Sequence, residues 1–349
     1  MNGLFFDYRD PLFGIFAIFA LIFIVSFLTH AYNLYIERKS RKEYRKLLKK
    51  FELGNLKEDD YIHLYTTYNL PFDSIILLAS SFLHKGDYNK AISVYLALLE
   101  HVKDQTKKEE LLELLGNTYL KGGFLQRSKD IYLKILKFSS HNKTALKNLL
   151  VISEKLKNYP TALDIIESLK ELNSDVDTEL VYINTLKVID DSILSFEQKS
   201  LKLLEMYKEN NLIQRLVIEF LLKYNKSLFW NNINLFDPKS VIDLLWYLDF
   251  NDIDFNIVET NQFLTDVYTA KGHINISKES ELFELAILIS TNNSSTKVNI
   301  DLNFDFICSK CKKLHPIYDS RCPHCNSILT FNVKAQLTKG YYEKNSSLQ

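Results

Sequence analysis

Hydrophobic and polar positions divide this chain into stretches with different periods. From Pro11 to Ile36 there is no Asp, Glu, Lys or Arg, and Leu12 to Leu28 reads LFGIFAIFALIFIVSFL. At 1.5 Å per residue such a run crosses a hydrocarbon core of roughly 30 Å, so it predicts a single transmembrane helix, with Tyr32 and Tyr35 at the interface. A cleaved signal peptide needs a basic leader, but only Arg9 precedes the run, between Asp7 and Asp10. No small-x-small cleavage pattern follows before the charges begin. Arg38, Lys39, Arg41, Lys42, Arg45, Lys46, Lys49 and Lys50 come next, against only Glu37 and Glu43. Positive flanks stay inside, which places the first ten residues outside and the remainder in the cytoplasm. The same segment suits anionic headgroups, at roughly 1 kcal/mol per cation near the surface.

Beyond this flank the period becomes helical. Ile75, Leu78, Ala79 and Phe82 mark one helix face, Gly86 a turn, and Ala91, Tyr95 and Leu98 the next face. The pattern returns 37 residues on with Leu112, Leu115, Gly116 and Tyr119, the turn glycine Gly123, then Ser128, Tyr132 and Ile135. A third copy about 34 residues later uses Leu146, Leu149, Leu150, Ala162, Ile166 and Leu169. There Leu150 and Ser153 replace the small and aromatic residues, and Lys157 replaces the turn glycine. Small residues at Ala79, Gly116, Ala91, Ser128 and Ala162 let paired helices approach, while Tyr95 and Tyr132 fill the gap to the next pair. The pattern resembles the tetratricopeptide repeat, whose units bury a core only between neighbours and expose a groove that binds peptides.

From Thr178 to about Ser290 apolar runs such as LIQRLVIEFLLKY and LFELAILI keep a helical character without an alignable repeat, and Trp230 and Trp246 are read as packing residues. The polar run TNNSSTK, Thr291 to Lys297, reads as a linker. The expected organisation is a stub and span at 1–36, a basic juxtamembrane helix at 37–52, helical repeats at 53–290, a linker at 291–303, a small knuckle at 304–333 and a polar tail at 334–349. The fold class is all-α: one transmembrane helix, a tetratricopeptide-like α-solenoid and a C-terminal rubredoxin-like or zinc-ribbon knuckle.

Composition agrees. Nine glycines and six prolines in 349 residues suit long helices with short connections better than many β-turns. Lys plus Arg equals Asp plus Glu, 43 each, so no global field draws the chain to nucleic acid or to an acidic substrate.

The candidate chemistry lies in FICSKCKKLHPIYDSRCPHCNSILTF, where all four cysteines form two Cys-x-x-Cys pairs, Cys308 with Cys311 and Cys322 with Cys325. Each such turn aims two sulfurs at one point about 2.3 Å away, and two facing turns make a closed tetrahedral thiolate site. Zinc in a structural role is the expected metal. Iron is chemically permissible and would imply electron transfer, although no flavin site or redox partner is legible. A cytoplasmic location disfavours disulfides. His315 and His324 are substitute ligands only if the four-cysteine set is incomplete. Lys310, Lys312, Lys313, Arg321 and His324 either offset the thiolate charge or form solvated surface. A knuckle of this size has too little core to fold without its ion, and it is expected to dock on the last repeats.

No phosphate-binding loop, nucleophile elbow, H-E-x-x-H or dinucleotide fingerprint occurs. His30, His63, His84, His101, His141 and His273 are scattered through expected helices, and the cysteines are committed to metal, so no catalytic residue is assigned. Basic residues near the knuckle lack stacking aromatics beyond Tyr318, which argues against nucleic acid.

Taken in order, the span, basic flank, repeats and terminal knuckle resemble the lipopolysaccharide assembly protein B family of Gram-negative bacteria. The residues that carry the resemblance are Leu77 to Ile92, Leu115 to Tyr132, and Cys308, Cys311, Cys322, Pro323 and Cys325. The resemblance implies an inner-membrane adaptor that brings the deacetylase of lipid A synthesis to the membrane protease FtsH for degradation, with the four cysteines as rubredoxin-type ligands. The family commonly has glycine after the second cysteine and aromatic residues before the third, where this chain has Lys312, Lys313 and Asp319-Ser320-Arg321. Two other functions stay open: a tethered rubredoxin-like electron carrier, and a general scaffold for envelope-assembly enzymes.

Overall fold

Residues 11–52, 60, 63, 66, 71–275, 280–293 and 299–339 are described by the computed structural model. The stub at 1–10, the start of the expected repeat domain at 53–59, most of the polar run ending at Lys297 and the tail beyond 339 lie outside the described residues. One helix, α1 (Pro11–Glu52), carries both the apolar run and the basic flank. Pro11 sits in its first turn, where a missing N–H costs no hydrogen bond. Ile18–Lys39, with mean hydropathy 1.7 and no buried side chain, is long and apolar enough to cross a membrane. At 1.5 Å per residue it measures about 33 Å. The eight cations from Arg38 to Lys50 are all exposed.

The chain forms two compact units, Met1–Ser140 and His141–Gln349. In the first, helices α2 (Phe72–His84), α3 (Tyr88–His101), α4 (Gln105–Lys121) and α5 (Leu125–Phe138) each pack on the next. The positions related by 37 residues are the buried ones: Ile75, Ala79, Ala91, Tyr95 and Leu98 in the first hairpin, Leu112, Gly116, Ser128, Tyr132 and Ile135 in the second. Both hairpin turns need a left-handed residue, Gly86 at φ 81° and Gly123 at φ 79°. The following N–H then reaches five residues back, from Asp87 to the Phe82 carbonyl at 2.9 Å and from Phe124 to that of Tyr119 at 2.8 Å. This closes the helix C-terminus in a Schellman motif. Gly116 serves a different end, since a Cβ there would lie 2.8 Å from Tyr132 Cζ. The Tyr132 ring thus occupies the space beside Gly116 within its own hairpin. The Ser128 hydroxyl donates to the Gly116 carbonyl at 2.7 Å across the same approach.

In the second unit α6 (Lys143–Lys155) and α7 (Tyr159–Glu171) form a hairpin of the same design. Lys157, at φ 55°, takes the left-handed turn position, and the Asn158 N–H reaches the Ser153 carbonyl at 2.8 Å. Helices α8 (Asp177–Ile189), α9 (Phe196–Glu209) and α10 (Gln214–Tyr224) continue the helix-on-helix order. Then the elements shorten: α11 (Lys226–Asn231), α12 (Ile242–Trp246) and α13 (Phe255–Val258) have six, five and four residues, with 3-10 turns between them. This is why no 34- to 37-residue spacing can be followed here. Helices α14 (Gln262–Ala270) and α15 (Phe283–Asn292) close the helical part. Trp230 and Trp246 are buried packing residues, their indole N–H groups donating to the Asp252 carbonyl at 2.8 Å and to Asp301 Oδ1 at 3.1 Å.

A three-stranded antiparallel sheet ends the described chain, with β1 (Ile300–Cys308) between β2 (Leu314–His315) and β3 (Phe331–Lys339). Pairing from Ile300↔Lys339 to Cys308↔Phe331 extends strand structure on both sides of the expected 304–333 segment. The expected linker therefore includes the end of α15 and the start of β1, and the expected tail includes most of β3. The physical reason is a period of two. Leu302, Phe304, Phe306 and Cys308 are buried while Asp301 and Asn303 are exposed, and those intervening polar residues disguise a half-buried strand as a linker. Leu302, Phe304 and Phe306 belong to the same apolar core as Leu221, Trp246, Tyr268 and Leu288. The knuckle thus rides on strands that share the core of the last helices.

Candidate metal centre

The end of β1, the β1–β2 turn and the loop after β2 bring the four cysteines together. Their sulfurs all lie within 4.8 Å of one another. Cys308 and Cys325 are 3.7 Å apart, as are Cys311 and Cys322. A disulfide requires about 2.05 Å, whereas four sulfurs each about 2.3 Å from one ion at tetrahedral angles are about 3.8 Å apart. The four side chains thus have the spacing of a tetrathiolate site that could hold a metal ion.

Two similar turns produce this spacing. The Lys312 N–H donates to the Cys308 carbonyl at 2.8 Å, and the Asn326 N–H to that of Cys322 at 2.8 Å. The Cys308 N–H donates to the Lys313 carbonyl at 3.0 Å, and the Cys322 N–H to that of Ser327 at 2.8 Å. The residue after each second cysteine is left-handed, Lys312 at φ 60° and Asn326 at φ 59°. Lys312 therefore holds a conformation that glycine adopts without cost.

The protons are unevenly held. Burial raises the Cys308 thiol, but the Cys311 N–H, the Thr330 and Ser327 hydroxyls and the Lys310 N–H outweigh it and bring the group down to about 5. Burial pushes Cys322 up to about 12, against the N–H groups of Cys325 and His324 and with the neighbouring thiols adding to the rise. Cys325 is lowered: its own burial opposes the shift, and the Ser327 hydroxyl and N–H produce it. Packed sulfurs share negative charge poorly, and a cation among them is the group that stabilises all four as thiolates.

Hydroxyls form a second layer that motif reading missed. Ser327 Oγ lies 2.9 Å from Cys325 Sγ, 3.5 Å from Cys308 Sγ and 2.9 Å from Thr330 Oγ1, which is 3.4 Å from Cys308 Sγ. Polar residues within five positions of a Cys-x-x-Cys turn were the available signal. His315 Nε2 is 3.8 Å from Cys322 Sγ, outside the four-sulfur cluster, and His324 is exposed. Lys310, Lys312 and Lys313 are exposed as well.

Arg321 is neither a solvated cation nor a sulfur partner. It is buried, and its guanidinium donates from Nε at 2.8 Å, and again from a terminal nitrogen, to Glu154 Oε2 on α6. Tyr182 on α8 donates to the other carboxylate oxygen at 2.9 Å. A second clasp sets Arg215 against Asp243, at 2.9 and 2.5 Å, with its guanidinium 3.7 Å from the centre of the Tyr318 ring. An open cleft of about 350 Å³ beside the centre is bordered by Lys147, Val151 and Glu179 on one side and Arg321, Cys325 and Ser327 on the other.

Fold and site together define a class: a helical-repeat protein with, among the described residues, one helix apolar enough to span a membrane, and a C-terminal four-thiol centre. No protein-family model matches the chain. It is 26% identical over 103 residues to the lipopolysaccharide assembly protein B of Haemophilus influenzae. The similarity takes in 29% of this chain and 26% of that protein, so the chain spans about a quarter of the length of the curated relative it matches.

Proposed function

We propose that this chain is a non-catalytic adaptor of the bacterial inner membrane that regulates lipopolysaccharide biosynthesis, delivering the lipid A pathway deacetylase to the membrane protease FtsH. The observation that carries this reading is the conjunction of a bilayer-length helix, tetratricopeptide-like hairpins and a tetrathiolate cluster in a chain similar to a lipopolysaccharide assembly protein. In this reading the repeats and the knuckle face the cytoplasm, as the excess of cations after the span favours. Zinc occupies Cys308, Cys311, Cys322 and Cys325 and stabilises the knuckle without entering any reaction. The anchor supplies location. Tethering confines client and protease to the same surface and raises their effective concentration, so that each contact works at modest affinity.

The test is the half-life of the deacetylase in cells with and without this protein, and with a Cys308→Ser, Cys311→Ser double variant. Deletion is expected to lengthen the half-life, and the double variant to reproduce much of that effect. An unchanged half-life on deletion overturns the proteolytic role. A general scaffold for envelope-assembly enzymes would instead lose complex formation at constant deacetylase level.

A further inference from the structure

We propose that Arg321, held by Glu154 and Tyr182, is a positioning residue of the metal centre, so that helices α6 and α8 form part of the support of the site and metal occupancy and helix stability are linked. Arg321 directly precedes Cys322 in sequence, and one guanidinium nitrogen donates to the Asn326 carbonyl at 2.6 Å, just past Cys325. That bond spans the second Cys-x-x-Cys turn from end to end. The rest of the guanidinium is spent on a single carboxylate, Glu154, 167 positions away in sequence, whose other oxygen takes the Tyr182 hydroxyl.

The side chains of Arg321 and Glu154 are only 9% and 11% exposed, and the guanidinium lies 5.8 Å from the centre of the Tyr182 ring. A buried ion pair is a poor source of net stability, because desolvation offsets most of its attraction. Its geometric effect is more useful, since a two-nitrogen contact to one carboxylate fixes the plane and reach of the guanidinium. Here that fixes the turn bearing Cys322 and Cys325. The Cys308–Cys311 turn is secured differently, by the nine-residue pairing of β1 with β3. The second turn lies outside the paired strands: beyond its own turn bonds it has the isolated bridge between Arg321 and Ile328, with the Leu329 N–H on the Ser320 carbonyl at 2.8 Å. It is therefore the half of the site that depends on support from the helices. Groups that orient metal ligands from outside the coordination shell typically change affinity by about 10- to 100-fold when removed. Because linkage is reciprocal, an ion that orders the turn also strengthens its grip on α6 and α8.

The inference rests on the metal-binding reading, and one experiment separates the two. Zinc affinity of the full chain in detergent is measured by competition with a chelator for wild type, Glu154→Gln, Arg321→Met and the double variant. Amide exchange is followed with and without chelator. Glu154→Gln and Arg321→Met are each expected to weaken zinc by tenfold or more, with the double variant no weaker than the worse single one. Stripping the metal is expected to speed exchange in Lys143–Lys155 and Asp177–Ile189 while leaving Phe72–Phe138 unchanged. Tyr182→Phe, which keeps the ion pair and loses one hydroxyl, gives a smaller loss of affinity and serves if the charge variants do not fold. Affinities within twofold of wild type, or additive losses, overturn the positioning role, as does exchange in α6 and α8 that ignores the metal. A wild-type chain that binds no zinc overturns both readings.

Discussion

The two compact units are built from the same helical hairpin but are held together on different length scales. In the first, the closest approach joins residues near in sequence: Tyr132 against Gly116, and the Ser128 hydroxyl on the Gly116 carbonyl. In the second, polar contacts span longer separations: Glu154 with Arg321, Arg215 with Asp243, Trp246 with Asp301. Local repetition can be read from a spacing of 37 residues. Long-range polar clasps leave no period, and they are what adapts a plain helical stack to carry a cysteine knuckle.

Removing the apolar contact between sheet and helices should affect only the second unit. Phe304, 4% exposed and packed edge-on to Tyr247, is expected to cost about 3–5 kcal/mol when truncated to alanine. Denaturant unfolding followed by amide exchange should place that loss in the second unit. Exchange protection of α2 to α5 should stay unchanged.

The converse change is Gly116→Ala. Its new Cβ would meet the Tyr132 ring at 2.8 Å, an aromatic with little freedom to yield, and overpacking of this kind costs about 1–3 kcal/mol. The loss should register in the first unit alone. An Ala that stabilised it would show that the approach of α4 to α5 is looser than the structure has it.

Smaller effects test the left-handed turns. A Cβ at Gly123 meets nothing within 4 Å, so Gly123→Ala is expected to cost about 1 kcal/mol from its φ of 79° alone. Lys312→Gly runs the other way at the knuckle, relieving a φ of 60° and raising stability by up to about 1 kcal/mol. Thermal melts of the metal-loaded chain check both signs.

Alkali should act on both units. Burial, first among the causes, raises the phenols of Tyr132 in the first unit and of Tyr182 and Tyr268 in the second. A proton held more tightly in the folded state contributes stability that is complete below the unfolded value, near pH 10, and is lost as pH rises through the folded one. Melting temperature should therefore be insensitive to these groups up to about pH 9.5 and fall above it. Tyrosinate absorbance should rise with unfolding rather than ahead of it.

Much of this architecture was legible in the chain. An uncharged stretch of bilayer length, two glycines 37 residues apart and two Cys-x-x-Cys pairs each have a single economical physical reading. What escaped did so for identifiable reasons. The strands β1 and β3 alternate with Asp, Asn, Lys and Gln, which resembles a polar linker until a facing strand is known. The helices between Lys226 and Val258 are too short to establish a period. Arg321 looked like one cation among several near the thiols. Only folding brings Glu154 beneath it, and only the backbone conformation reveals that Lys312 and Asn326 occupy equivalent positions.

The most direct test of the central claim is X-ray absorption at the metal edge, with metal quantification, on the full chain purified in detergent. One zinc per chain surrounded by four sulfurs at about 2.3 Å is the expected result. A chain isolated without metal, with its cysteines paired in disulfides or free, would contradict it.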